Sequence, residues 1–164
     1  MSGLRDAALC HMHLTSPAFR DGEEIPTRYT SDGIDVSPPL AWTDVPRGTR
    51  SLALIVDDPD APDPEEPTTT WVHWVICDLP PGRDHPHEHL GKLDEGHVGV
   101  NDWHRAAWGG PSPPIGRHRY FFKLYALDRV LGLPRPTKGE LEGAMAGHVL
   151  SEATLVGTYR KHKR

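Results

Sequence analysis

The sequence predicts a mainly β fold: a large antiparallel or mixed central sheet, followed by a C-terminal helix. Three observations carry this. Three apolar runs have strand length and strand composition, namely Ser51–Asp57, Thr70–Leu79 and His118–Asp128. Proline and glycine together make about a fifth of the 164 residues, spread along the chain as turn formers rather than as a repeat. Nothing between the runs has the length and period of a crossover helix, so antiparallel or mixed pairing is favoured over parallel pairing.

Taken in order, Leu14–Ala18 and Thr27–Thr30 read as short early strands, punctuated by Asp21-Gly22 and Asp32-Gly33 turns. Asp35 to Leu40 is irregular and leads into a strand at Ala41-Trp42. Ser51–Asp57 is nearly continuous in apolar residues, the mark of a strand covered on both faces. Asp58–Pro67 is rich in proline and carboxylates and reads as a loop. Thr70–Leu79 is the next central strand, Pro80–Asn101 a long polar excursion, and Ala106–Gly116 a loop of glycine and proline. His118–Asp128 is the third central strand. Thr137-Lys138-Gly139-Glu140 then has the form of a capping box. Leu141, Met145, His148 and Val149 follow at helical spacing, while Gly143 and Gly147 weaken the interior, so the helix is expected to break near Gly147 and resume at Ser151.

At this length one domain over 1–164 is the simplest organisation, with 1–13 and 160–164 as loose ends. A net charge of −5 argues against a general nucleic-acid binder, and the basic tail Arg160–Arg164 is short enough to be a solvated terminus. No apolar run is long enough to span a membrane, and Met1–Asp6 lacks the core of a signal peptide. Two cysteines, Cys10 and Cys77, cannot build a disulfide framework, which fits a cytoplasmic protein.

Histidine is a poor strand residue unless its ring finds a polar partner. Two of them sit in the central strands, His73 and His118. Side-chain alternation puts Trp71, His73, Val75 and Cys77 on one face, and His118, Tyr120, Phe122 and Leu124 on one face. If the two strands are neighbours, both imidazoles look into one cavity, flanked by Trp71 and Tyr120, with Asp58 and Asp60 at its end. Such a set suits an anion such as phosphate or a zwitterionic head group. Arg119 falls on the opposite face and reads as an ion-pair partner. Asp57 is assigned to the turn and Asp58 to the pocket, an assignment that a one-residue slip would exchange.

Two other patterns carry chemistry of a different kind. Asp84-His85-Pro86-His87-Glu88-His89 has alternating histidines, but reads as a polar loop rather than a metal site, since a site also needs fixed geometry and supporting partners. Ser112, His118 and Asp58 have the residue types of a serine triad, yet no Gly-x-Ser-x-Gly elbow is present. The chain is therefore read as a binding protein and not an enzyme, with no metal and no cofactor.

Asp58-Pro59-Asp60-Ala61-Pro62, Trp71-Val72-His73, Gly110-Pro111, Pro113-Pro114 and Gly116-Arg117-His118-Arg119-Tyr120, in this order, resemble the phosphatidylethanolamine-binding protein family. Asp35-Val36-Ser37-Pro38-Pro39-Leu40 with Trp42 resembles its earlier segment, where Asn usually stands at the place of Asp35. The likeness runs from about Leu14 to Tyr159 and is nearest to the bacterial and archaeal, Raf-kinase-inhibitor-like branch. It implies a large antiparallel sheet packed with a smaller one in a Greek-key arrangement. The pocket residues it implies are Asp58, Trp71, His73, Pro114, His118 and Tyr120, with Asp60, Pro62 and Gly110 in support and Ala61-Pro62 as a candidate cis peptide. It further implies a phosphorylated or phospholipid-head-group-like ligand. The alternative function is a protein–protein regulator that inhibits a kinase or protease through the loops Pro59–Pro67 and Asp84–His97. A homodimer is compatible with either.

Overall fold

The computed structural model describes residues 11–82 and 96–161. Among these residues seven strands and one α-helix form in the order β1 (His13–Thr15), β2 (Ala41–Thr43), β3 (Ser51–Ala61), β4 (Thr69–Leu79), β5 (His97–Val98), β6 (Arg117–Leu127), α1 (Lys138–Met145) and β7 (Val149–Arg160). β1 and β2 make a small antiparallel sheet. The other five make an antiparallel sheet in the order β5-β4-β3-β6-β7. β3 lies at the centre, and its first eight residues are all buried.

Each face of the five-stranded sheet has its own core. Leu52, Leu54 and Val56 from β3 join Trp74, Ile76, Phe122, Leu124 and Leu155 under the small sheet and the irregular segment around Phe19, Ile25, Leu40 and Trp42. Ala53 and Ile55 point the other way, toward Val75, Cys77, Leu141 and Met145 beneath α1. Asp57 belongs to this second face. Its side chain is only 1% exposed and accepts hydrogen bonds from Lys123 Nζ at 3.1 Å and Lys138 Nζ at 2.8 Å, fastening α1 to the sheet.

α1 begins with the expected capping box: Thr137 Oγ1 accepts from Glu140 N, and Glu140 Oε1 accepts from Thr137 N. Thr137→Ala should cost about 1 kcal/mol of stability in urea denaturation, the usual worth of such a cap. The helix ends at Met145 and does not resume. Gly147 takes φ +82°, and the chain turns into the long strand β7. The inward positions of β7 are Ala153, Leu155, Gly157 and Tyr159. Two of these four are small, so the apolar alternation that marks a strand is faint. Gly157 is small for a reason: a Cβ there would lie 2.5 Å from the Ile25 side chain.

Two further expectations are corrected, and one condition is not met. Thr27–Tyr29 is a 3-10 turn rather than a strand, entered through Pro26, whose ring fixes φ. β3 runs on through Asp58 and Asp60 to Ala61 instead of yielding to a loop, because each carboxylate finds a partner on β6. β4 and β6 are not neighbours, since β3 separates them. At the chain ends, His13 opens β1 and Arg160 closes β7, so both belong to the fold. The Ala61-Pro62 peptide is cis. No helix among the described residues is long and apolar enough to cross a membrane.

Candidate ligand pocket

The site begins with a β-bulge. Between β3 and β4 the register passes from Val56↔Trp74 to Asp57↔Val72, so His73 is an extra residue on β4. The bulge resets the alternation. Val72 joins Val75 and Cys77 in the core under α1, whereas Trp71 and His73 face the other way. Strict alternation therefore grouped the four residues wrongly, although it paired Trp71 with His73 correctly. The segment after β5 satisfies the backbone at this bulge. Asp102 Oδ2 accepts from Val72 N at 2.7 Å, Asp102 N donates to Val72 O, and Gly109 N donates to His73 O at 3.1 Å. Asn101, 3% exposed, holds that segment in shape: its Oδ1 accepts from Trp103 N and Arg105 N, and its Nδ2 donates to Ala107 O.

Asp58, Trp71, His73, Pro114, His118 and Tyr120 all line one cavity of about 250 Å³, joined by Pro62, Ser112 and Trp103. β3 lies between the two histidine strands and contributes Asp58 to the gap. Tyr120 bridges it, with its ring edge-on to His73 at 5.1 Å and stacked with His118 at 6.4 Å between centroids. Trp103 packs edge-on against both Trp71 and His73. A lone Trp between the polar excursion and the glycine–proline loop gives no periodic signal in the sequence, so nothing there marks Trp103.

His118 is 1% exposed and has no free ring nitrogen. Nδ1 lies 2.6 Å from Asp58 Oδ2, while Nε2 lies 3.0 Å from Pro62 O and 2.9 Å from Ile115 O. Carbonyl oxygens only accept, so Nε2 carries a proton, and one further proton lies between Nδ1 and the carboxylate. Asp58 Oδ1 accepts from Asp60 N at 2.7 Å. Burial raises the Asp58 pKa above its ordinary value, against the pull of His118. His118 thus ties β6 to β3 and to the loops on either side of the cavity.

His73 is different. Nδ1 lies 2.6 Å from Gly109 O, and a carbonyl cannot donate, so Nδ1 is the N–H. Burial holds the ring neutral, with a pKa lowered to about 4. Nε2 is then a lone-pair acceptor, and it is the nitrogen left to the cavity. Trp71 Nε1 and Tyr120 Oη are shielded from solvent and have no hydrogen-bond partner in the protein.

The supporting residues lie behind this wall. Asp60 does not line the cavity; it accepts from Arg119 N, Nε and one terminal guanidinium nitrogen, which lowers its pKa. Arg119 is thereby the ion-pair partner expected. Gly110 N donates to Asp35 Oδ1 at 3.0 Å. A Cβ on Gly110 would lie 2.2 Å from that oxygen and 2.4 Å from Tyr29 O, so only glycine lets the pocket loop seat here. Gly110→Ala is expected to displace the loop and loosen the Gly109 contact with His73, read as a shifted His73 ring resonance.

Away from the cavity, Cys77, Asp78 and His97 bring three potential metal ligands within 4.8 Å of one another. Asp78 stands at φ +59° where β4 bulges a second time, and its carboxylate accepts from Leu131 N and Gly132 N as well as facing His97. Burial pushes the Cys77 thiol up to about 12, so it is a protonated donor to Leu133 O. The histidines at 85, 87 and 89 lie outside the described residues.

Comparison with known proteins agrees with this architecture. A family model described as phosphatidylethanolamine-binding protein matches residues 15–160. A protein of Methanothermobacter thermautotrophicus described as a UPF0098 protein is 50% identical over 155 residues, covering 92% of this chain and 99% of the relative. The crystal structure of CT736 from Chlamydia trachomatis, described as a phosphatidylethanolamine-binding protein homologue, superposes with a TM-score of 0.86 at 40% identity, over 93% of this chain and 99% of that one. Escherichia coli YbcL gives a TM-score of 0.81 at 26% identity over the same shares.

Proposed function

This chain belongs to the phosphatidylethanolamine-binding protein family, and on that premise we propose that its cavity binds a small phosphorylated ligand resembling a phospholipid head group. The observation that carries the reading is the pair of unpartnered donors, Trp71 Nε1 and Tyr120 Oη, in the walls of one cavity. A buried donor without a partner costs about 1–3 kcal/mol, and an entering oxyanion supplies the acceptors. At about 250 Å³ the cavity is smaller than pockets for drug-sized molecules, which suits a head group rather than an acyl chain.

The triad of Ser112, His118 and Asp58 is not supported: a serine nucleophile needs a base with a free nitrogen, and both nitrogens of His118 are committed to Asp58, Pro62 and Ile115. Ser112 lines the cavity as a further hydroxyl donor.

Phosphoethanolamine titrated into labelled protein should shift the Trp71 indole N–H and the His73 ring signals saturably. If neither moves at millimolar concentration, the reading fails. Tyr120→Phe should weaken this binding by about five- to tenfold, as one hydrogen bond is lost. It should leave thermal stability equal or slightly higher, because the unpartnered hydroxyl goes with it. Calorimetric titration alongside thermal melting separates the two effects.

A further inference from the structure

We propose that the pocket selects phosphate monoesters in their singly charged form, with the ligand's P–OH donating to His73 Nε2, and discriminates against phosphodiesters, which have no such hydroxyl. The inference rests on the phosphate reading above and deepens it.

The argument is a count of donors and acceptors. Gly109 O accepts from Nδ1 of His73, and burial keeps the ring neutral, so Nε2 is the bare nitrogen of a residue that lines the cavity. Both ring protons of His118 are already spent on Asp58 and on two carbonyls, and the Asp58 oxygens accept from His118 and from Asp60 N. The donors of the lining residues that the protein itself leaves unused are Trp71 Nε1 and Tyr120 Oη, and Ser112 adds a hydroxyl. Arg119, the nearest guanidinium in sequence, is turned away to Asp60. Among the described residues the wall therefore offers neutral donors, one neutral acceptor and no uncommitted cation.

A dianionic phosphate would set its own lone pairs against that of His73 and would meet no uncommitted positive charge. A monoester with one proton matches the set: its P–OH meets Nε2 and its other oxygens meet the donors. A diester carries the same single charge but has only lone pairs to present.

Protonating His73 to suit a dianion is opposed by burial. The charged groups that bear on the ring do not reverse this. Asp57 and Asp102 favour the protonated ring, His118 opposes it, and the net result remains a neutral ring. Asp57 is itself neutralised by two lysines on the far face, and Asp102 is bonded to Val72 N.

The test compares phosphoethanolamine, dimethyl phosphate and an aminoalkyl phosphonate by calorimetric titration of the full chain between pH 5 and pH 8.5. Phosphoethanolamine should bind best on the acid side, and its affinity should fall about tenfold per pH unit above its second ionisation near 6. Dimethyl phosphate should bind at least about tenfold more weakly at pH 5.5, for want of the donated hydrogen bond. The phosphonate ionises at higher pH, so the midpoint of its affinity profile should move up with it. That shift assigns the proton to the ligand and not to a protein group.

Equal binding of monoester and diester, tighter binding as pH rises, or a midpoint that ignores the ligand's ionisation would each overturn the inference while leaving the phosphate pocket standing. Binding of none of the three at any pH would overturn the pocket reading and this inference with it.

Discussion

His118→Ala should cost the fold about 3–5 kcal/mol and abolish ligand binding, the former read as a lowered urea midpoint. The side chains of His118 and Asp58 are 1% and 4% exposed and meet at 2.6 Å. Removing the ring strands a carboxylate that has only Asp60 N left to it, and it leaves Pro62 O and Ile115 O without their shared donor. Burial already raises the Asp58 pKa, and His118 is the main influence holding it down. Without the imidazole, the Asp58 pKa is expected to rise further, or the loop beside it to open to water. Asp58→Asn removes the buried charge from the other side, so the double variant should cost clearly less than the sum of the two singles. Arg119→Ala offers the contrast: its guanidinium is 56% exposed and its partner lies behind the cavity wall, so the loss should be smaller and the pocket should survive. Equal costs for His118→Ala and Arg119→Ala would show that the buried pair does not organise the site.

The legibility of this site in the sequence follows from where each residue lies relative to regular structure. β6 has no bulge before Ala126, so strict alternation places His118, Tyr120, Phe122 and Leu124 correctly on one face. β4 does have one at His73, and alternation carried through a bulge inverts every assignment beyond it. Trp71 and His73 were therefore paired rightly with each other and wrongly with Val75 and Cys77. A bulge depends on which residue faces which across two strands, and that information lies in the pairing rather than in β4 alone. The ordered Asp-Pro-Asp-Ala-Pro, Trp-Val-His and Gly-x-His-x-Tyr segments could be read because they are local.

Other features depended on long-range partners. Asp57, Asp58 and Asp60 sit in a strand because Lys123, Lys138, His118 and Arg119 meet them, all more than fifty residues later. Local composition, with its prolines and carboxylates, argues for a loop. β7 failed for the opposite reason. Its pairing with β6 is regular over nine residues, from Arg117↔Arg160 to Tyr125↔Glu152, but Ala153 and Gly157 on its inner face leave little hydrophobic contrast. Helical spacing from Leu141 onward, by contrast, runs on past the glycine that ends α1. Gly157 needs its small size only because Ile25 and Phe19 pack against it, which again is a tertiary fact.

The protein should lose about 3 kcal/mol of stability between pH 7 and pH 4 through His73 alone. In the unfolded chain this histidine takes up a proton near its ordinary value of 6.5; in the fold its pKa is lowered to about 4. The unfolded state therefore binds more protons in that window, and stability falls as pH falls, levelling off once the folded ring is also protonated. Asp58 acts in the opposite sense. Its pKa is raised in the fold, so the native state gains protons there and is favoured by acid, which masks part of the His73 loss in the wild-type curve. Subtraction exposes it. His73→Gln keeps a side-chain amide able to donate to Gly109 O but has no titrating ring. The difference in unfolding free energy between wild type and His73→Gln should be steep between pH 6.5 and pH 4 and flat above pH 7.5. A difference that stays constant across the range would mean that the folded ring titrates normally. It would then be charged at mildly acid pH, and the acceptor on which the pocket's choice of a protonated monoester depends would be lost.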